Sequence, residues 1–213
     1  MGRAAPPLYG LDIETDTSTD GLDPGVAGIL AVALSTEADG DTVFTGSEAA
    51  VLRLLDDHLA DLEPGVLVTW NGAAFDLPFL ADRAVRHRVA LGLDLLWDPS
   101  AARPGRQPLP GHIGSYVARW WSHGHVDAYR AWRHLTDDPD ESCALKAVAR
   151  REGFEPVEVD RAIIHETPLH TLRRYASSDA SLARQLAAHR WGDIRRFVDH
   201  LPDGGQLALA FRA

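Results

Sequence analysis

Three short runs of strand character precede the first helical stretch of this chain, and that order restricts the architectures open to it. Leu8 to Ile13 reads as a strand, Gly28 to Leu34 as a second and Thr42 to Thr45 as a third, separated by turns rich in Asp and Gly. Ser47 then opens a helix in which Val51, Leu54, Leu55, His58, Leu59 and Leu62 recur at helical spacing, until Pro64-Gly65 closes it. A buried strand, Val66 to Trp70, follows, and after the Asn71-Gly72 turn a second helix runs from about Asp76 to His87. This β-β-β-α-β-α order predicts an α/β fold with helices packed on a mixed sheet, and argues against an all-parallel doubly wound one.

Farther along, the stretch 98–114 holds Pro99, Pro104, Pro108 and Pro110 with Gly105 and Gly111 and has no period, so it reads as a loop. A solvated connector is the expectation there, in preference to a substrate-facing flap. Trp120 to Tyr129 should include a strand ending near Val126-Asp127, and Ser142 to Glu152 a helix stopped by Gly153. A long helix is expected over Leu169 to His189, then a short one over Asp193 to His200 and a Gly-rich tail. With 213 residues, 45% of them hydrophobic, one domain spanning 1–213 is expected.

Composition narrows the classes. Cys143 is the single cysteine, so neither an internal disulfide nor a disulfide-linked partner is expected, and the chain reads as cytoplasmic. The N-terminal MGRAAPPLYG lacks a signal-peptide core, and no stretch approaches the ~18 uninterrupted apolar residues of a membrane span, so no membrane partner is expected. A formal charge of −10 argues against broad electrostatic gripping of nucleic acid but is compatible with an enzyme that takes one strand end. Lys146 is the only lysine. His123 and His125 lack a second ligand pair at helical spacing and do not make a zinc site, and Trp120 and Trp121 read as packing residues.

Four acids in three separated segments carry the chemistry. In GLDIET the strand period of two sends Asp12 and Glu14 to one face and Leu11 and Ile13 to the other. Two carboxylates so close repel unless a divalent cation compensates them. In WNGAAFD, Asp76 sits where strand turns into helix; it can cap that helix, or project into the crevice at the strands' carboxyl ends. Asn71 there offers an amide to a sugar or phosphate, and Phe75 a surface for a terminal base. In YASSDASLARQL, Tyr175 and Asp179 stand four apart, hence on one helical face. Taken singly, each segment has a plain structural reading; the three together have the carboxylate content of a two-metal phosphodiester-cutting site.

The three segments resemble the Exo I, Exo II and Exo III motifs of the DEDD superfamily of 3′–5′ exonucleases, in its tyrosine-bearing DEDDy branch. The likeness is above all to the proofreading domain of family B DNA polymerases and its stand-alone relatives. VDAY around Asp127 and the helix CALKAVARREG extend the resemblance over most of the chain. It implies a ribonuclease H-like mixed β-sheet, three initial antiparallel strands followed by parallel additions. It implies two Mg2+ or Mn2+ ions held by Asp12, Glu14, Asp76 and Asp179, with Asp12 bridging, and a Tyr175 that orients the attacking water. Thr15, Asn71 and Phe75 are the implied substrate-binding residues. One departure stands out: the polymerase relatives often carry a lysine shortly after the CALKAVARREG helix, where this chain reads FEPVEVD, so an arginine would have to supply that phosphate contact.

The function expected is a metal-dependent 3′–5′ exonuclease acting on the 3′ end of a single strand, DNA more than RNA. A polymerase or repair factor would be a partner in trans. The alternatives are a structure-specific or RNA-directed nuclease of the same fold, and a catalytically silent interaction module.

Overall fold

Alternation along β1 (Leu8–Thr15) decides which side of the sheet each helix covers. Leu11 and Ile13 face one side, where they pack with Val32 and Leu34 of β2 (Ile29–Ser35) and Leu67 of β4 (Val66–Thr69). That layer is closed by α1 (Glu48–Asp61), through Val51, Leu52, Leu55 and Leu59, and by α2 (Asp76–His87), through Leu77, Phe79 and Leu80. Each such buried side chain contributes ~1.5–3 kcal/mol over leaving it in water. The opposite face of the sheet carries Ala31, Ala33, Val66, Val68 and Val126. It is covered by α3 (Ala128–Leu135), α4 (Leu145–Arg151), the long α5 (Leu169–His189) and the short α6 (Trp191–Ile194).

The computed structural model describes residues 5–99, 107–138, 140–199 and 201. With β3 (Asp41–Thr45), β5 (Leu93–Asp98), β6 (Ser115–Trp120) and β7 (His123–Asp127), the strands form one seven-stranded sheet in the order β3-β2-β1-β4-β7-β6-β5. The first three are antiparallel, and β4 and β7 add in parallel, as expected. Beyond β7 the sheet turns antiparallel again, because β6 and β5 join as hairpin partners that the sequence pattern did not reveal. The Trp120–Tyr129 segment therefore holds the end of one strand, all of another and the start of α3. Its turn passes through Trp121 at φ 50°, a position that usually goes to glycine or asparagine.

The helices α2 and α5 have the bounds expected, whereas the helix expected from Ser142 starts only at Leu145. The expected short terminal helix is instead α6 followed by a 3-10 turn over Arg195–Phe197. Residues 1–4, 100–106, 139, 200 and 202–213 lie outside the described residues, including part of the 98–114 loop and the Gly-rich tail. No described helix is long and apolar enough to cross a membrane.

Several polar groups are spent on this framework, among them Trp120, His123 and His125 from the sequence analysis. Trp120 is buried with its ring N–H donated to Asp56 at 2.7 Å. His123 accepts from Gly65 N–H and donates to Leu59 O, and His125 lies between Thr69 Oγ1 and the Asp199 carboxylate. Arg83 is buried against Glu48 and the Pro24 carbonyl, fixing the 16–28 loop.

Helix α5 crosses β1 at close range over Gly10. A Cβ built on Gly10 would lie 2.0 Å from the Ala180 carbonyl oxygen, a backbone atom that cannot rotate away. The Gly10→Ala protein should therefore lose roughly 1–3 kcal/mol of stability in urea unfolding, as overpacked sites do. An unchanged midpoint would show that α5 does not seat on β1 in this way.

Candidate active site

That close contact sets Asp179 against the polar face of β1. Tyr175 and Asp179 are both buried on α5, and Asp12 and Glu14 pair with Ala33 and Ala31 of β2, side chains too small to fill the space above them. One carboxylate oxygen each from Asp12, Glu14 and Asp179 lie within 4.8 Å of one another. Asp76 lines the same cleft but is not part of that tight trio. It is the first residue of α2, with Phe75 in the cap position, and its Oδ1 accepts the Ile13 N–H at 3.2 Å. The side-chain capping role open to it in the sequence is thus replaced by a tie to β1.

The cleft measures about 430 Å3. Asn71, at φ 74°, and Phe75 line it beside Asp12, Asp76 and Asp179. Their turn is pinned from below by Asp127, whose carboxylate accepts the N–H groups of Asn71, Ala73 and Arg130. Thr15 does not join them: it is buried, and its hydroxyl donates to Gly21 O at 2.7 Å, closing the following loop.

Two cations enter the cleft that sequence reasoning had not placed there. The lone lysine, Lys146, sits at the start of α4 with Nζ 3.8 Å from the Tyr175 ring centroid and 3.5 Å from Asp179 Oδ1, while it donates to Val157 O. Arg161 comes from the 3-10 turn Arg161–Glu166, just past FEPVEVD, and its charge acts on Tyr175, Glu14, Asp12 and Asp179. Lys146 and Arg161 thus flank FEPVEVD, one on each side. The only sequence signals were the uniqueness of Lys146 and its place within the CALKAVARREG helix.

Burial and mutual repulsion dominate the electrostatics. Loss of water raises the Asp12 pKa well above its ordinary value, and Glu14, Asp179 and Asp76 add to it. Glu14 is pushed up to about 8, by burial first and then by Asp179, with Arg161 opposing. Burial lifts Asp76 to about 7 against the hydrogen bond from Ile13, and Asp179 to about 6 against Lys146 and Arg161. Tyr175 is raised also, by burial and then Asp179. Asp12 Oδ2, Asp179 Oδ1, Asn71 Oδ1 and the Tyr175 hydroxyl are buried without a hydrogen-bond partner.

Comparison with known proteins places the chain in a family. The model of the RNase H superfamily matches residues 11–197. The chain belongs to the RNase H superfamily. Its relatives include catalytic subunits of DNA polymerase epsilon, one from Saccharomyces cerevisiae that is 32% identical over 145 residues and one from Arabidopsis thaliana that is 29% identical over 139. Those alignments cover 65% and 63% of this chain and 6% of each polymerase. The family B DNA polymerase of the hyperthermophilic archaeon Pyrobaculum calidifontis shares the fold, with a TM-score of 0.68 at 22% identity over 89% of this chain and 25% of that one.

In this RNase H superfamily chain the donor set suits a hard divalent cation: all-oxygen ligands, clustered, partly orphaned, and short of positive charge. Without metal, the folded protein holds these carboxyls protonated far above the ordinary 4.5 of Glu14 and 3.8 of Asp179, so it binds more protons than the unfolded chain. Stability should therefore fall as pH rises from about 4 to about 8. Thermal melts in chelator across that range should show a negative slope, shallower in Asp12→Asn; a flat profile would mean that the carboxylates are not confined together.

Proposed function

We propose that this chain is a single-domain, divalent-metal-dependent 3′–5′ exonuclease of the DEDDy type, releasing nucleotides from the 3′ end of a single strand, DNA in preference to RNA. The observation that carries this reading is the convergence of Asp12, Glu14 and Asp179 within 4.8 Å beside Asp76 and Tyr175. The four acids would hold two Mg2+ or Mn2+ ions. Such ions supply Lewis-acid charge at a phosphate and lower the pKa of water, the chemistry that phosphodiester hydrolysis needs.

The chain's own groups do the rest. Tyr175 stays protonated at neutral pH, since burial and then Asp179, Glu14 and Asp12 raise its pKa, so it orients a nucleophile by hydrogen bonding and does not remove its proton. Lys146 and Arg161 offer N–H donors to phosphate once the carboxylates are neutralised. Asn71 and Phe75 face a sugar and a base at the cleft edge. A charge of −10 leaves little non-specific hold on a duplex, which fits a strand-end enzyme. We place its work in the cytoplasm, in repair beside a polymerase or repair factor in trans.

Timed digestion of labelled linear and circular strands, DNA and RNA, with Mg2+ or Mn2+ tests the reading. Linear DNA should shorten from its 3′ end while circles survive. Asp12→Ala and Asp179→Ala should show no hydrolysis, and Tyr175→Phe should slow turnover by roughly ten- to a hundredfold. Full activity in Asp12→Ala would overturn the assignment.

A further inference from the structure

Asp76 differs from the other acids of the cleft in that the contact of α5 with β1 does not set its place. It belongs to α2 and stands outside the trio of Asp12, Glu14 and Asp179. The start of that helix is weakly held by its own residues: Phe75, in the cap position at φ −132° and ψ −74°, makes no side-chain hydrogen bond to it. The support comes from below. Asp127 accepts the N–H groups of Asn71 and Ala73, and the Gly72 carbonyl accepts the N–H of Leu77, the residue after Asp76, at 3.0 Å.

Gly72 in turn rests on Thr69. A Cβ built on Gly72 would lie 2.4 Å from both Cβ and Oγ1 of Thr69, so the turn lies flat on that side chain. Thr69 is wholly buried, and its hydroxyl is hydrogen-bonded at 2.9 Å to Nε2 of His125, itself buried. On the other side of the ring, Nδ1 is 2.6 Å from Oδ2 of Asp199. An ionised carboxylate only accepts, so Nδ1 carries a proton and the ring is held in one orientation. Asp199 has anchors of its own: Oδ2 accepts Ala118 N–H at 3.0 Å, and its backbone N–H donates to His125 O at 2.7 Å.

A row of Thr, His and Asp has the make-up of a hydrolytic triad, but no substrate reaches this hydroxyl, because Thr69 has no exposed surface and Gly72 lies across it. What the row can do is transmit position, from the segment after α6, through β7 and β4, to the turn that starts α2. We propose that Asp199 is a positioning residue for Asp76: by fixing His125 it fixes Thr69, the seat of Gly72 and the first turn of α2. The geometry is supported by charge, since burial raises the Asp76 pKa and His125 acts to lower it. The consequence for metal binding rests on the exonuclease reading of the cleft.

The Ile13 N–H, which donates to Asp76 Oδ1 at 3.2 Å, reports where that carboxylate lies without metal or substrate. In the metal-free full-length protein followed by NMR, Asp199→Ala should speed exchange of the Ile13 amide about tenfold relative to the Leu34 amide of β2. Asp199→Asn keeps an oxygen for His125 and Ala118 and should restore the wild-type ratio. Thr69→Val, which deletes the hydroxyl, should match Asp199→Ala and replaces it if that variant does not fold. Mn2+ affinity by calorimetry should follow the amide, falling about ten- to a hundredfold in Asp199→Ala and recovering in Asp199→Asn. Exchange that rises equally at Ile13 and Leu34, or not at all, overturns the proposal. A faster Ile13 amide with unchanged Mn2+ affinity overturns it too, because Asp76 would have moved without effect on the site. Wild-type protein that binds no Mn2+ overturns the exonuclease reading, and the amide ratio then judges the link from Asp199 to Asp76 by itself.

Discussion

The structure depends on one close approach, the seating of α5 on β1 at Gly10. A side chain there would collide with the backbone of Ala180, and larger residues than Ala31 and Ala33 on β2 would hold the helix away. Asp179 is the residue before Ala180, so the depth to which α5 packs sets the distance from Asp179 to Asp12 and Glu14. Hydrophobic packing on both faces of the sheet thus forces together anions that would separate if free to do so.

The arrangement is poor as a stability device. Burial deprives Asp12, Glu14, Asp76 and Asp179 of water, and Asp12, Glu14 and Asp76 are each destabilised further by at least one other acid. Lys146, 3.5 Å from Asp179 Oδ1, and Arg161 offset part of this, yet Asp12 Oδ2 remains buried without a partner. Strained electrostatics of this kind concentrate at functional sites, where a ligand completes the charge balance. Asp127, Glu48 and His112 play the opposite part: each is fully engaged, and each fixes a loop or turn at the edge of the cleft.

What was legible in the sequence was local. The period of two in GLDIET put Asp12 and Glu14 on one face, and the spacing of four put Tyr175 and Asp179 on one face of a helix whose bounds were also correct. Element order gave a mixed sheet, and the family resemblance implied its antiparallel start and parallel additions. The strand ending at Asp127 was legible, but the β5–β6 hairpin beside it was not, because Leu96 and Trp97 are exposed and blur the alternation of β5, and the Trp121 turn lacks a glycine signal. Lys146 and Arg161 were missed for a different reason. Their contacts with α5 and β1 are tertiary, and nothing in their neighbours' spacing announces which way a helix start or a 3-10 turn will face. Thr15 shows the converse, since its motif position suggested substrate while its hydroxyl is consumed by Gly21.

The central claim is that these confined carboxylates form one cation site spanning β1 and α5. Calorimetric titration of metal-free protein with Mn2+ near pH 8 tests it most directly. Saturable binding is predicted for the wild type, abolished equally by Asp12→Ala on the strand and by Asp179→Ala on the helix. Undiminished Mn2+ binding in either variant, with its fold intact by circular dichroism, would contradict the account.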